Sequence, residues 1–263
     1  MVTNQIKSLP PLPSSILRIQ ELCMMDEVEM ADLIQVIESD PMLTADILKS
    51  VNSPLYGMSK EITSVRQAVM LFGILMVRGF AAATSIKKTV SSDLSPYAIT
   101  IDRLSEISIL QSALVREWYG AVDKTMVPLL ASGAFLMELG KLVTSQNLIS
   151  SGESERFRSE VEQGGSIIEL EKLYLGMSSY NTAALMFEHW NFESGLVDML
   201  RSISETSIHP YGQVLYVLQE AISVREGLSE KSLRSAIDAA ERMGLDSKAL
   251  EDALQSVKAT SNL

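Results

Sequence analysis

Two proline-marked corners, Asp40-Pro41 and Asn52-Ser53-Pro54, constrain the fold of this chain more than any other feature. Asp40 offers a carboxylate to the free amides at a helix start. Pro41 suits the first helical position, whose amide has no partner, so one helix closes before Asp40 and another opens at Pro41. Leu43, Ile47 and Val51 recur every four residues and give that second helix one apolar face. Asn52-Ser53-Pro54 then stops it. In the turn that follows, Asn52 is placed to bond the backbone across the corner, and Tyr56 to pack its ring there with the hydroxyl in water, before Gly57. A structural role is expected first for both residues, partner contact second. Ser64 with Gln67 three residues on has the spacing of a capping box for a third helix. Short helices with specified corners follow one another.

Helical periodicity continues beyond this stretch. Met30, Leu33, Ile34 and Ile37 keep the i, i+3, i+4, i+7 pattern, and no long segment alternates apolar with polar residues as a strand would. An all-α protein is predicted, in three blocks. Residues 1–95 form an N-terminal helical subdomain, closing on a small-residue helix with Ala81-Ala82-Ala83 and a polar break from Ser91 to Pro96. Residues 96–210 form a second helical subdomain with loops at Ser150-Ser151-Gly152-Glu153-Ser154 and Gly164-Gly165-Ser166, ending at His209-Pro210. Residues 211–263 form a helical extension packed on the second block. There Leu233, Ile237 and Ala240 share a face, Gly244 suits the position after a helix, and Asp246 caps a closing helix with Leu250 and Leu254 inward.

Composition excludes several functions. A chain of 263 residues, 46% hydrophobic, buries one substantial core or two modest ones. Its net charge of -11 argues against nucleic acid or an anionic membrane as partner, since such binding depends on Lys and Arg displacing counterions from phosphates. The single cysteine, Cys23, excludes an intrachain disulfide and fits a reducing compartment; on the apolar face of a helix from Ser14 to about Asp26 it reads as a buried filler. The first residues lack the apolar region of a secretory signal. The apolar runs Ala68–Val77 and Met126–Leu139, the latter interrupted by Glu138, fall short of the roughly 20 residues a spanning helix needs. A soluble, cytoplasmic protein is expected. Of 14 methionines, Met24, Met25, Met30, Met42, Met58, Met70 and Met76 fall in or beside helical apolar patterns, so core filling is expected ahead of an adaptable binding surface.

The segment from Ile37 to Gly57, with Ile62-Thr63-Ser64-Val65-Arg66-Gln67-Ala68, resembles the N-terminal half of the HDOD family, the HD-related output domain of bacterial signalling proteins. Leu9-Pro10-Pro11-Leu12-Pro13, the helix-ending Leu71-Phe72-Gly73, and Gly176 through Trp190, with Leu185 and Trp190 in place, resemble further family motifs. The likeness runs from about residue 5 to 205 and implies an HD-like multi-helix bundle.

The HD superfamily takes its name from a His-Asp pair that helps hold a divalent metal for phosphate-ester hydrolysis. In the matching frame, Phe135 to Leu142, Met137 stands where the histidine would be and Glu138 where the aspartate would be, followed by Gly140-Lys141-Leu142. Ser179 stands at the next expected histidine, and Ile203-Ser204 replaces a His-His pair. The two histidines, His189 beside Trp190 and His209 before Pro210, fall on none of these positions, and both are expected to be structural. No catalytic residue, metal or cofactor is therefore assigned. Glu138 needs a partner inside an apolar helix: it pairs with Lys141 at i+3 or a basic group from another helix, or it anchors a ligand in a remodelled pocket. No nucleophile elbow, P-loop or dinucleotide fingerprint is present. The expected function is a non-catalytic signalling or scaffold module acting through a protein partner, which the resemblance places in two-component or cyclic di-GMP pathways; self-association stays open. The alternatives are a metal-dependent phosphohydrolase with altered ligands and a small-molecule sensor using the former metal pocket.

Overall fold

A computed structural model describes residues 2–25, 29–90 and 93–261, so Asp26 at the expected helix end and Ser91 and Ser92 of the expected polar break lie outside the described residues. Among the described residues there are sixteen α-helices, three short 3-10 turns and no strand beyond one isolated bridge between Ser223 and Gly227. The expected all-α class holds.

The first helices are α1 (Val2–Lys7), α2 (Ser14–Cys23), α3 (Met30–Glu38), α4 (Pro41–Val51), α5 (Val65–Phe72) and α6 (Ile74–Thr89). Asp40 caps α4 as its chemistry dictates, its Oδ1 accepting from the Leu43 amide at 3.0 Å. Asn52 holds the next corner with three bonds. Its Nδ2 donates to the Leu48 and Ile62 carbonyls at 2.9 and 2.7 Å, and its Oδ1 accepts from the Ile62 amide at 2.8 Å. Ser53 precedes the 3-10 turn Pro54–Tyr56, which Gly57 ends at φ +62°. Ser64 caps α5 through the Gln67 amide, but Gln67 Oε1 accepts from the Thr63 amide rather than that of Ser64, so the expected box closes one residue early. Gly73, at φ +81°, separates α5 from α6.

The second group comprises α7 (Ile101–Val122), α8 (Val127–Leu136), α9 (Gly140–Ser151), α10 (Ser154–Glu162), α11 (Ile167–Leu175), α12 (Ser179–His189) and α13 (Ser194–Arg201), with a 3-10 turn Met137–Leu139 joining α8 to α9. That joined stretch, Val127–Ser151, is long and apolar enough to cross a bilayer, unlike the shorter run expected from sequence, but 83% of its apolar window is buried inside the fold. The last helices are α14 (Pro210–Ala221), α15 (Glu230–Arg242) and α16 (Ser247–Ser261). His209, expected to be structural, caps α14 by accepting from the Gly212 amide, and Asp246 caps α16. Helix α16 lies on α7 and on the 3-10 turn Pro54–Tyr56, so the C-terminal extension touches both earlier blocks.

One continuous core runs through all three blocks. Edge-to-face aromatic contacts bridge the first two: Tyr56 on Phe72 at 4.8 Å, Phe72 on Phe80 at 5.7 Å, and Phe80 on Phe135 at 4.8 Å. The Tyr56 hydroxyl does not face water as expected. It bonds the Ser112 hydroxyl at 2.7 Å, tying the turn to α7. Trp190 is buried and its Nε1 donates to the Pro10 carbonyl at 3.1 Å, joining the end of α12 to the Leu-Pro-Pro segment.

Two further expectations about side chains fail. Cys23 is half-buried rather than enclosed, because α2 ends there, and burial together with the Glu193 carboxylate pushes its thiol upward against the nearby Arg78 cation. The methionines are not core filler as a group: Met76 is buried and Met58 packs partly on the core, but Met24, Met25, Met30, Met42 and Met70 are exposed, Met42 and Met70 by about 70%. Helix α5 shows why. Its inward stripe is Val65, Ala68, Val69 and Phe72, which leaves Met70 and Leu71 on the outer side.

Candidate functional site

The frame Phe135 to Leu142, singled out from the resemblance, leads into the place where α9 crosses α12, and a glycine brings the two helices together. A Cβ on Gly140 would sit 1.8 Å from the Ser179 carbonyl oxygen and 2.8 Å from the Ala183 nitrogen, so only glycine allows this approach. The close crossing places Lys141 beside the start of α12. There its Nζ donates to Ser179 Oγ at 3.0 Å.

Lys141 is 1% exposed, a rare condition for a lysine, and carboxylates surround it. Its Nζ lies 2.7 Å from Glu138 Oε2 and 4.0 Å from Glu171 Oε1. The 2.7 Å contact is an ion pair without good hydrogen-bond angles, since Glu138 Oε2 lacks a hydrogen-bond partner. The faces of Tyr180 and Tyr97 stand 4.7 and 5.7 Å from the ammonium.

The carboxylates are held in turn. Glu138 Oε1 accepts from Gln111 Nε2 at 2.9 Å and, at a longer 3.4 Å, from the Tyr180 hydroxyl. Glu171 accepts from the Tyr97 hydroxyl at 2.8 Å and from the Ser179 amide at 2.6 Å. Tyr97 also meets Thr144 at 2.6 Å, and Gln111 donates a second bond to the Ile222 carbonyl at 2.9 Å, leaving its own Oε1 without a partner.

The electrostatics follow from this enclosure. Burial disfavours the Lys141 ammonium, but Glu138 and Glu171 outweigh it and hold the lysine above its ordinary pKa. Burial and the same two carboxylates push the Tyr97 and Tyr180 hydroxyls well above theirs. Both phenols therefore act as hydrogen-bond donors rather than as bases.

Of the positions singled out from sequence, Glu138, Lys141 and Ser179 come together. Met137 is fully buried in the core on the 3-10 turn. Ser204 does not join them: it follows α13 and lines a separate cleft of about 510 Å³ with Glu169 and Glu220, while its neighbour Ile203 is the buried member of that pair. His189 is exposed. Sequence reasoning missed Gln111, Glu171, Tyr97, Tyr180 and Thr144. Gln111 carried a readable signal, since it interrupts the inward stripe Leu104, Ile107, Leu114, Val115 and Trp118 of α7 with a polar side chain.

A divalent metal of the HD type does not fit these residues. The positive charge between the two carboxylates is already supplied by Lys141, and among the described residues no three His, Cys, Asp or Glu side chains are grouped to hold a metal. Glu138, Lys141 and Glu171 are at most 1% exposed, so the cluster is sealed by packed side chains rather than open to a substrate.

Comparison with known proteins agrees with the architecture. A solved structure from Marinobacter aquaeolei, of a protein named for signal transduction, superposes with a TM-score of 0.74 at 20% identity, covering 97% of this chain and 58% of its own. Another from Shewanella amazonensis, named as a phosphohydrolase, gives 0.71 at 17% identity, covering 98% and 94%. At these identities the likeness is one of fold. A Treponema pallidum protein of uncharacterised function is 34% identical over 73 residues, which are 28% of this chain and only 14% of that relative's length. The HDOD domain matches residues 9–206, three-quarters of the sequence and all of the buried cluster, and the chain belongs to the HDOD family.

Proposed function

We propose that this HDOD protein is a non-catalytic signalling module that works by protein–protein contact in the cytoplasm. The observation that carries this reading is Lys141, whose ammonium fills the position between Glu138 and Glu171 in a sealed cluster. A metal-dependent hydrolase of the HD type needs an open metal position for water and substrate. Exposed methionines and leucines on α2 to α5 add support, because adaptable thioethers suit docking surfaces. The partner class, a component of a two-component or cyclic di-GMP pathway, follows from the family resemblance.

The test pairs chemistry with capture. Purified protein incubated with Mn²⁺, Mg²⁺ or Fe²⁺ should retain no stoichiometric metal and should not hydrolyse bis(p-nitrophenyl) phosphate or cyclic di-GMP. Capture of a signalling protein should be lost on Met42→Glu or Met70→Glu, which change exposed side chains and leave the core intact. Metal retention with turnover that disappears in Glu138→Gln would overturn the proposal in favour of a hydrolase.

A further inference from the structure

A second site lies away from the buried cluster, in a cleft of about 600 Å³ walled by α4, α6 and α7 and rimmed by the Asn52-Ser53-Pro54 turn. That volume falls in the range of small-molecule pockets, roughly 300–1,000 Å³. We infer that this cleft binds a phosphate-bearing organic anion of nucleotide size.

Charge is the first reason. The chain carries a net charge of -11, yet three lysines, Lys49, Lys87 and Lys88, line this one cleft, with Asp46 and Asp102 as its acids. Only Lys88 is neutralised by contact, through Asp46 at 2.6 Å. Among the described residues Lys49 and Lys87 make no ion pair; Lys87 Nζ donates to the Ser105 hydroxyl at 2.8 Å, and Asp102 reaches it only through space. Two cations that lack a contacting carboxylate, one of them half-buried, form a field that favours an incoming anion.

Titration agrees with the geometry. Burial pushes Lys87 down to about 8, the residual pull of Asp102 notwithstanding, so its ammonium is held at a cost that a bound anion relieves. The groups that face it are Asp46 and Lys49 from α4, Lys88 from its own helix, and Asp102 from α7.

The remaining walls give the ligand its second half. Ile109 from α7 and Phe135 from α8 supply an apolar wall, which suits the ring or hydrocarbon body of an organic phosphate better than a bare inorganic ion. Neither this cleft nor its lysines belong to the cluster around Glu138, so the inference stands whether or not the signalling reading does.

The experiment titrates the full chain with AMP, adenosine and inorganic phosphate by calorimetry, with thermal shift as a second readout. AMP should bind saturably and raise Tm, phosphate should bind more weakly, and adenosine should do neither. Lys87→Met and the exposed Lys49→Gln should each weaken AMP binding by about tenfold or more, while Lys231→Gln, on another face, leaves it unchanged. Affinity should fall as the pH is raised through about 8, where Lys87 loses its proton, and this dependence should vanish in Lys87→Met. Absence of binding by both AMP and phosphate, AMP binding no tighter than phosphate, or binding unaffected by the Lys49 and Lys87 variants would each overturn the inference.

Discussion

Lys141→Met removes one charge from a cluster that depends on it. Methionine replaces most of the lysine's aliphatic stem, so the packing lost is small. The electrostatic loss is not. Glu171 keeps the Tyr97 hydroxyl on Oε1 and the Ser179 amide on Oε2, whereas Glu138 Oε2 has only the ammonium at 2.7 Å and no hydrogen bond. Removing one partner of a buried pair costs about 3–5 kcal/mol, against a typical domain stability of about 5–15 kcal/mol. In urea denaturation this should lower the midpoint by about 2 M with an unchanged slope. Glu138→Gln should cost less, about 1–3 kcal/mol, because the amide keeps an acceptor for Gln111 and Lys141 retains Ser179 and Glu171. The double variant should cost about 1–3 kcal/mol less than the sum of the singles, since the side chains touch. A Lys141→Met penalty under about 1 kcal/mol, the value of an exposed pair, or strict additivity would refute the reasoning.

Gly140→Ala should prevent folding or cost more than about 4 kcal/mol, because its Cβ meets the backbone of Ser179; Gly133→Ala should cost much less, because its Cβ clashes with the flexible end of the Met199 side chain and otherwise makes ordinary contact with Leu215, and thermal melts of both variants compare them. Asn52→Ala should cost about 2–4 kcal/mol in urea denaturation, because three hydrogen bonds are lost and both the amide and the carbonyl of Ile62 lose their partner in the side chain. Lys141, Tyr97 and Tyr180 have folded pKa values raised above unfolded ones near 10, so the stability they contribute is present below about pH 10 and lost above it; Tm should fall in alkali, less steeply in Tyr97→Phe. Lys87, lowered to about 8, acts with the opposite sign between about 8 and its ordinary 10.5, and Lys87→Met should remove that rise.

The corners of the first block were legible because they are local chemistry. Asp40 accepts from an amide three residues on and Asn52 spans one turn, and neither needs knowledge of distant elements. The cluster was legible only in part. The i+3 spacing of Glu138 and Lys141 placed them on one helical face, but Glu171, Tyr97 and Gln111 arrive from other elements, and which of them meets Glu138 depends on how the helices cross. Met70 was misread for a different reason. It stands inside an apolar run, and only the inward stripe of α5 shows that the run covers both faces of the helix. Ser204 was misplaced because a family spacing fixes a position in the chain, and the turn after α13 puts Ile203 rather than Ser204 in the core.

A cluster with no metal position still needs a reason to be polar, since well-packed apolar residues would serve stability as well or better. Its place in the fold supplies one. The crossing at Gly140 sets how close α9 and α12 lie, and the Lys141 to Ser179 bond sets their register. Further polar contacts then join the N-terminal helices to the later ones. Trp190 bonds Pro10, Tyr56 bonds Ser112, and the buried guanidinium of Arg78 grips both oxygens of Glu193 while lying 5.4 Å from the Phe192 ring. Directional bonds of this kind lock one arrangement of helices where an apolar contact would tolerate sliding. The motifs of the N-terminal helices and the buried cluster around Lys141 therefore act as one device. It holds α2 to α5, with their exposed methionines, against the bundle formed by the later helices.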